Sequence, residues 1–454
     1  MKKKVIADIV HGYIAINEID QEFIHLPLFQ RLTRITQGLN RGAFPNCNHT
    51  RFEHSLGVAH LGTKVIDSLI EKSKSKDERK ELQKLRDSVR TACLLHDIGH
   101  APFSHIGELF YNKKKCIDQL CKLRGEEYRD TFGNASPHEL MSALVIMKDP
   151  DINCIFNKNS LDKNFIIDMI CGFEKKHIDT IRFPLIQLLN SQIDVDRLDY
   201  VLRDNMMAGG TFVSLDVERM ISAYIINKNK LRLSYQALST IANFMNGRSN
   251  LYLFVLNHHR NVLNNGLHYV FINELKEQKI IKANDYFSFS AITKKRMDDF
   301  DLGSIMKKHV NLNDTTKLCG NHIFSRGFLS PIWKDGFECS EIIANNKKVK
   351  FNLYNFIKET SPRLSQYEEH IKAELNISEP LYIFYCLNKY YKSPTDDSER
   401  GSVTILMRDD SEKQYHELFH SAQIVKTDPF YFYVYLSNNS NMKDDLRMYF
   451  SRNN

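Results

Sequence analysis

Residues 93–105 read CLLHDIGHAPFSH, and His96, Asp97, His100 and His105 fall within ten of them. Imidazole nitrogen and carboxylate oxygen are the usual donors to a catalytic first-row divalent cation. A carboxylate can also bridge two ions for phosphoryl chemistry. A single His–Asp pair is most often a hydrogen-bonded core pair. Three imidazoles and a carboxylate crowded this closely are a poor inert core, because polar groups buried together destabilise a fold unless they bind something.

Three further segments carry reactive side chains. In HTRFEHSLGVAHLG, His54 opens an apolar helix and Arg51 stands three residues before it, while His49 and His60 read as solvated rings near the helix start. In SQIDVDRLDYVLRDNM, a helix would bring Asp196, Arg197, Tyr200 and Asp204 within roughly a quarter-turn of one another. That face carries two carboxylates, a guanidinium and a phenol, while Leu198, Val201 and Leu202 point the other way. Two carboxylates along one exposed stripe would repel, whereas a metal on the first and a hydroxyl on the second would give both a purpose. In SPHE, Ser136 caps, Pro137 takes the first helical position and Glu139 stands three after the cap, which places His138 in a first turn.

These residues need long helices to bring them together. Residues 5–17 are rich in β-branched side chains and predict one or two short strands. LFQRLTRITQ has Leu28, Leu32 and Ile35 at helical spacing, and GLNRGAFPNCNHT is a loop. A helix runs from about Arg51, with Leu56, Ala59, Val65, Ile66 and Leu69 inward. The charged stretch EKSKSKDERKELQKLRD is an exposed linker or helix start, followed by an apolar helix SVRTACLLHDIG that Gly99 and Pro102 stop. Residues 183–206 and 240–277 are further long helical patterns. After about residue 320, SEPLYIFYCLNKYY, GSVTILMRD and DPFYFYVYLS read as strands, and NNKKVKFNLYNFIKET as strand then helix. The expected fold is mainly α: a helical core with short N-terminal strands over residues 1–320, then a smaller α+β lobe over 321–454 serving regulation or assembly.

Composition agrees with an ordered chain of two domains. At 454 residues it exceeds one compact core, and 19 Gly and 11 Pro are few breakers. The net charge of +7 suits nucleotides or nucleic acid, but a solvated basic surface explains it equally well. Nine scattered cysteines without a CxxC argue against a zinc knuckle or disulfide framework and favour a reducing, cytoplasmic compartment. Asp8 and His11 interrupt the apolar run behind the basic start, so it does not read as a signal peptide. No uninterrupted apolar stretch is long enough to span a membrane.

His54, the His96–Asp97 pair and Asp196 resemble the H…HD…D signature of HD phosphohydrolases. The fuller set, HLPLFQRLTRITQ, HTRFEHSLGVAHLG, LLHDIGHAPFSH, SPHE and DVDRLDYVLRD, is similar to the HD-domain deoxynucleoside triphosphate triphosphohydrolases, both bacterial dGTPase-like and animal SAM-and-HD-domain enzymes. The likeness covers about residues 5–275. It implies one or two divalent ions (Mn, Fe, Zn or Mg) on His54, His96, Asp97 and Asp196. It implies hydrolysis of a dNTP at the α-phosphorus to deoxynucleoside and triphosphate. His105 matches the proton donor, and His138, tuned by Glu139, and His100 match further histidines near the phosphates. Arg51, Arg197 and Arg248 match phosphate-binding positions, Tyr200 packs on the sugar, and Asp204 and Gln37 read the 3′-hydroxyl. Homo-oligomers (dimer, tetramer or hexamer) with a nucleotide effector are part of the same implication, and nucleic acid is compatible but not required. Three positions depart from the pattern: the animal enzymes have Lys where Arg197 stands, Glu108 replaces an Asp that partners the proton donor, and the loop after Gln37 is one residue shorter.

Two rival functions fit fewer of these residues. An HD phosphodiesterase or nuclease acting on cyclic, oligo- or single-stranded nucleotides has no need for Arg51, Arg197, Tyr200 and Asp204 together. A non-catalytic nucleotide sensor has no need for a complete set of metal ligands.

Overall fold

The β-branched run after Lys4 pairs with itself. Strands β1 (Lys4–Asp8) and β2 (Gly12–Ile16) form an antiparallel hairpin in which Asp8 faces Gly12. Asp8 closes the turn, its Oδ1 accepting from the N–H groups of Val10 and His11, each at 2.9 Å. Gly12 supplies the left-handed residue at φ +72°. This computed structural model describes residues 4–343 apart from 212, 326 and 328, together with 346, 361–387, 403–418, 430–437 and 440–451. The protein is mainly helical, with a few small sheets.

Helix α1 (Arg51–Lys72) starts where Thr50 accepts from the Phe52 N–H and Glu53 reaches back to the Thr50 N–H at 2.9 Å. Its expected inward residues Leu56, Ala59, Val65, Ile66 and Leu69 are all buried. Helix α2 (Lys76–Leu95) is capped by Ser75, exposed along its charged first half and buried from Val89 to Leu95. The two helices approach closely at Gly62, where an added Cβ would lie 2.5 Å from Cys93 Sγ. The expected helix through Gly99 stops instead at Leu95, so His96 and Asp97 stand just beyond its end. The chain turns there against helix α3 (Pro137–Lys148): a Cβ on Gly99 would meet Ser142 N at 2.2 Å.

Other long helical patterns are broken by local polar chemistry. LFQRLTRITQ forms a four-residue helix Pro27–Gln30 and a 3₁₀ turn Arg31–Arg34, after which Thr36 bridges to Thr50. Residues 183–206 divide into Arg182–Ile186 and helix α4 (Val195–Met207). Between them Asn190 donates back to Met169 O and Ile186 O, and Asp194 accepts from the Arg197 N–H at 2.7 Å. Residues 240–277 become α5 (Leu238–Leu251), a π turn Tyr252–Leu256 and α6 (His259–Glu277).

A hairpin of β3 (Tyr224–Asn227) and β4 (Lys230–Ser234) was not foreseen, because it is short and lies between helices. The late strands are β5 (Leu329–Pro331), β6 (Tyr382–Leu387), β7 (Thr404–Leu406), β8 (Glu412–Gln414) and β9 (Phe430–Ser437). They make an antiparallel sheet β5-β9-β6 around buried Trp333, and β7-β8 extend the early hairpin into a four-stranded sheet β3-β4-β7-β8. Strand β7 joins β4 in parallel, with Leu233 opposite Ile405. The strand-then-helix expected over 345–360 lies, except for residue 346, outside the described residues. No helix among the described residues is long and apolar enough to cross a membrane.

Candidate metal centre and active site

The start of α1, the end of α2 and the start of α4 converge on one point. His54 Nε2 lies 3.0 Å from Asp196 Oδ1 and 3.7 Å from Asp97 Oδ2. His96 Nε2 lies 3.4 Å from Asp97 Oδ1 and 3.8 Å from Asp196 Oδ1. Both Nε2 atoms are buried, and neither makes a hydrogen bond among the described residues. Their other nitrogens are engaged: His54 Nδ1 donates to Asp199 Oδ2 at 2.8 Å, and His96 Nδ1 to Cys93 O at 2.8 Å. This selects the tautomer whose Nε2 lone pair faces the two carboxylates. His54, His96 and Asp97 bring ligand atoms within 4.8 Å of one another, and Asp196 Oδ1 stands beside both imidazoles, so the residues fit a divalent ion. The Asp196 side chain is 34 % exposed, which leaves this side of the centre open.

Arg51 closes the opposite side. Its Nη1 donates to Asp97 Oδ2 at 2.8 Å, its Nε to Ser104 Oγ at 3.1 Å and its Nη2 to Gln37 O at 3.0 Å. Burial opposes the Asp97 charge, but the Arg51 guanidinium, helped by His96 and His100, holds this carboxyl well below the usual range.

A second cluster adjoins the first across His100, whose Nε2 lies 3.1 Å from Asp97 Oδ1 and whose Nδ1 lies 2.6 Å from Glu108 Oε1. Glu108 also meets His138 Nδ1 at 3.0 Å and His105 Nδ1 at 3.3 Å. Burial, with Arg51 nearby, pushes His100 down to about 4. Burial acts the same way on His138, but the Glu108 carboxylate overrides it and raises this ring to about 9. His105 is exposed, and its Nε2 is 3.4 Å from Arg51 Nη2. The expected tuning of His138 by Glu139 is corrected: Glu139 caps its helix, accepting from the Ser136 N–H at 2.7 Å, and the direct partner is Glu108. The turn before His105 is strained, with Phe103 at φ 59° and Ser104 at φ 49°. Asp299 pins it by accepting from the Phe103 N–H at 2.6 Å and the Thr36 N–H at 2.9 Å.

The remaining expected residues line α4 and its neighbours. Arg197 Nη1 donates to Ser191 O at 2.7 Å and pairs with Asp194. The Tyr200 hydroxyl meets the Tyr252 hydroxyl at 3.3 Å, with Arg197 and Arg248 both in electrostatic reach. Arg248 is buried and donates to Gln192 O at 3.1 Å. Asp204 is buried, and His49 Nε2 donates to its Oδ1 at 2.6 Å. The solvated ring expected of His49 is therefore corrected. The same holds for His60, which is half-buried with its ring centroid 5.4 Å from that of His11. Gln37 sits beside Arg51, and its Oε1 has no hydrogen-bond partner among the described residues. Asp199, His11 and Asp299 were missed. Asp199 had a visible signal, since it is the third aspartate of DVDRLD and lies one turn from Asp196.

The HD domain family matches residues 51–135. The chain is 28 % identical over 256 residues to the deoxynucleoside triphosphate triphosphohydrolase SAMHD1 homolog of Dictyostelium discoideum, covering 56 % of this chain and 46 % of that one. It is 31 % identical over 222 residues to human SAMHD1, covering 44 % of this chain and 33 % of that one. The chain thus spans about half the length, or less, of these curated relatives. A hypothetical protein of Aquifex aeolicus shares the fold with a TM-score of 0.68 at 21 % identity, over 98 % of this chain and 99 % of that one. A phosphohydrolase of Bacteroides thetaiotaomicron does so with a TM-score of 0.65, also at 21 % identity, over 96 % and 99 %.

Proposed function

The chain carries an HD domain and is homologous to SAMHD1-like dNTP triphosphohydrolases, and from this premise we propose that it hydrolyses deoxynucleoside triphosphates to deoxynucleoside and inorganic triphosphate with the help of a divalent ion. The observation that carries the metal reading is the pair of buried Nε2 atoms of His54 and His96, locked by Asp199 and Cys93 to face Asp97 and Asp196. An ion held by these four side chains would neutralise phosphate charge and make a nearby water more acidic.

The chain's own residues supply the rest. Arg51 orients Asp97 and extends its Nη2 edge toward His105. His105 Nδ1 lies 3.3 Å from Glu108 Oε1, and this exposed ring, when protonated, would give its proton to the departing 5′-oxygen. His138, held cationic by Glu108, adds positive charge beside the phosphates. Arg197 at the start of α4 and Arg248 on α5, both in electrostatic reach of Tyr200, would bind the polyphosphate tail. Tyr200 excludes a 2′-hydroxyl, and Asp204 and Gln37 receive the 3′-hydroxyl. We assign residues 321–454 to assembly or regulation; among the described ones, β7 pairs with β4. The enzyme acts as a homo-oligomer with a nucleotide effector, and its nine free cysteines fit the cytoplasm.

The test is a product assay with Mn²⁺ and each of the four dNTPs and GTP, alone and mixed. The expected product is free triphosphate from dNTPs alone. Monophosphate or pyrophosphate would reject the proposal in favour of a phosphodiester- or pyrophosphate-cleaving HD enzyme.

A further inference from the structure

Asp199 has two oxygens and room for four donors, and the fold supplies all four. Oδ1 accepts from His11 Nε2 at 2.6 Å and Arg203 Nη2 at 3.0 Å. Oδ2 accepts from His54 Nδ1 at 2.8 Å and Arg203 Nε at 2.9 Å. His11 comes from the turn of the β1–β2 hairpin, 188 residues away in sequence. Asp8 of the same hairpin grips the other side of Arg203, accepting from its Nη1 at 2.7 Å. The whole set is buried, with side-chain exposures of 3 % for His11, 0 % for Asp199, 1 % for Arg203 and 5 % for Asp8. Gly57 makes the room, since a Cβ there would lie 1.9 Å from Asp199 Oδ1.

We propose that His11 is a positioning residue of the metal centre, fixing the Asp199 carboxylate and through it the ring of His54. The proposal rests on the reading of His54 as a metal ligand. A carboxylate with an open acceptor direction can rotate about its last bond and release its other partners. With His11 in place, Asp199 is saturated and cannot turn, so the His54 proton stays on Nδ1 and the Nε2 lone pair stays aimed. A hairpin needed only for packing would have no reason to bury an imidazole and a carboxylate at this depth, where each must be fully paired. Docking of the hairpin and uptake of the ion are then thermodynamically linked, and each strengthens the other.

The experiment measures Mn²⁺ affinity in the full chain and in two variants. His11→Phe keeps a ring but loses the donor, and His11→Gln keeps an N–H at similar reach. The expected result is affinity about 10- to 100-fold weaker in His11→Phe, with most of the loss recovered in His11→Gln. Equal affinity in His11→Phe and the unaltered protein, or equal impairment of both variants, would overturn the proposal. If a variant does not fold, amide exchange of residues 12–16 in the unaltered protein decides it. Mn²⁺ should slow exchange there, and no change overturns the proposal. An unaltered protein that takes up no Mn²⁺ overturns the metal reading too, whereas tight binding with an indifferent His11→Phe overturns only the role of His11.

Discussion

The two clusters joined at His100 use the same kinds of side chain in opposite proportion. One gathers two imidazoles and two carboxylates, His54 and His96 with Asp97 and Asp196. The other gathers three imidazoles around one carboxylate, His100, His105 and His138 with Glu108. In the first, each imidazole proton is drawn outward, to Asp199 or to the Cys93 carbonyl, and the inner face offers only lone pairs. In the second, the carboxylate sits inside with the Nδ1 edges of all three rings turned toward it, while the far edge of His100 faces Asp97 and that of His105 faces Arg51. Both clusters bring their donor atoms close enough to hold an ion; the proposed function gives the cation to the first and exchangeable protons to the second.

The sharpest way to break this comparison is to remove the first cluster and keep the second. His96→Ala with Asp97→Ala should abolish bound metal, measured by elemental analysis, and lower turnover on the order of 10³-fold or more, as loss of several kcal/mol of charge stabilisation requires. Circular dichroism should stay helical, because both residues lie beyond the end of α2. Unchanged activity would mean that the catalytic ion is not here.

A smaller effect should sharpen the second cluster. His138 is raised to about 9 by Glu108, against an ordinary value of 6.5. A raised imidazole adds stability that is complete below 6.5 and lost as pH climbs through about 9. Activity that needs this cation should fall over the same window. In Glu108→Gln the alkaline limb of the kcat profile should move down toward neutrality. A limb that stays in place would remove His138 from the proton chemistry.

The smallest expected effect lies one turn along α4 from Asp196. Tyr200→Ala should relax discrimination between dGTP and GTP by about 10- to 100-fold, the range for one misfitting group in a pocket, with metal content unchanged. Retained discrimination would place the sugar elsewhere.

Much of the fold and the contact set was legible in the sequence where a local pattern carried it. The adjacency of His96 and Asp97, the cap before α3 and the inward stripe of α1 all follow from spacing within a turn or two of helix. What escaped depends on distant partners. His11 looked like an interruption in an apolar run, because its partner Asp199 is separated from it by eleven α-helices and three 3₁₀ turns of intervening chain. His49 looked solvated until Asp204 was placed beside it. The apolar pattern over 183–206 continued through Asn190 and Asp194, and only their side-chain bonds to the backbone reveal the break. The β3–β4 hairpin falls in the same class, since its strands gain a long-range neighbour only at β7.

That neighbour bears on how the protein can be divided. Strand β4 has β3 on one side and β7 on the other. Truncation after residue 320 would strip one flank of β4 and leave its amide and carbonyl groups open to the first extended segment that meets them, a familiar route to self-association. The ring of Phe384 adds a second scar, for it fills the space above Gly266 where a Cβ would come within 2.5 Å. A soluble catalytic fragment would therefore need a substitute strand, or a charged residue turned outward on β4, before its behaviour in solution could be compared with that of the full chain.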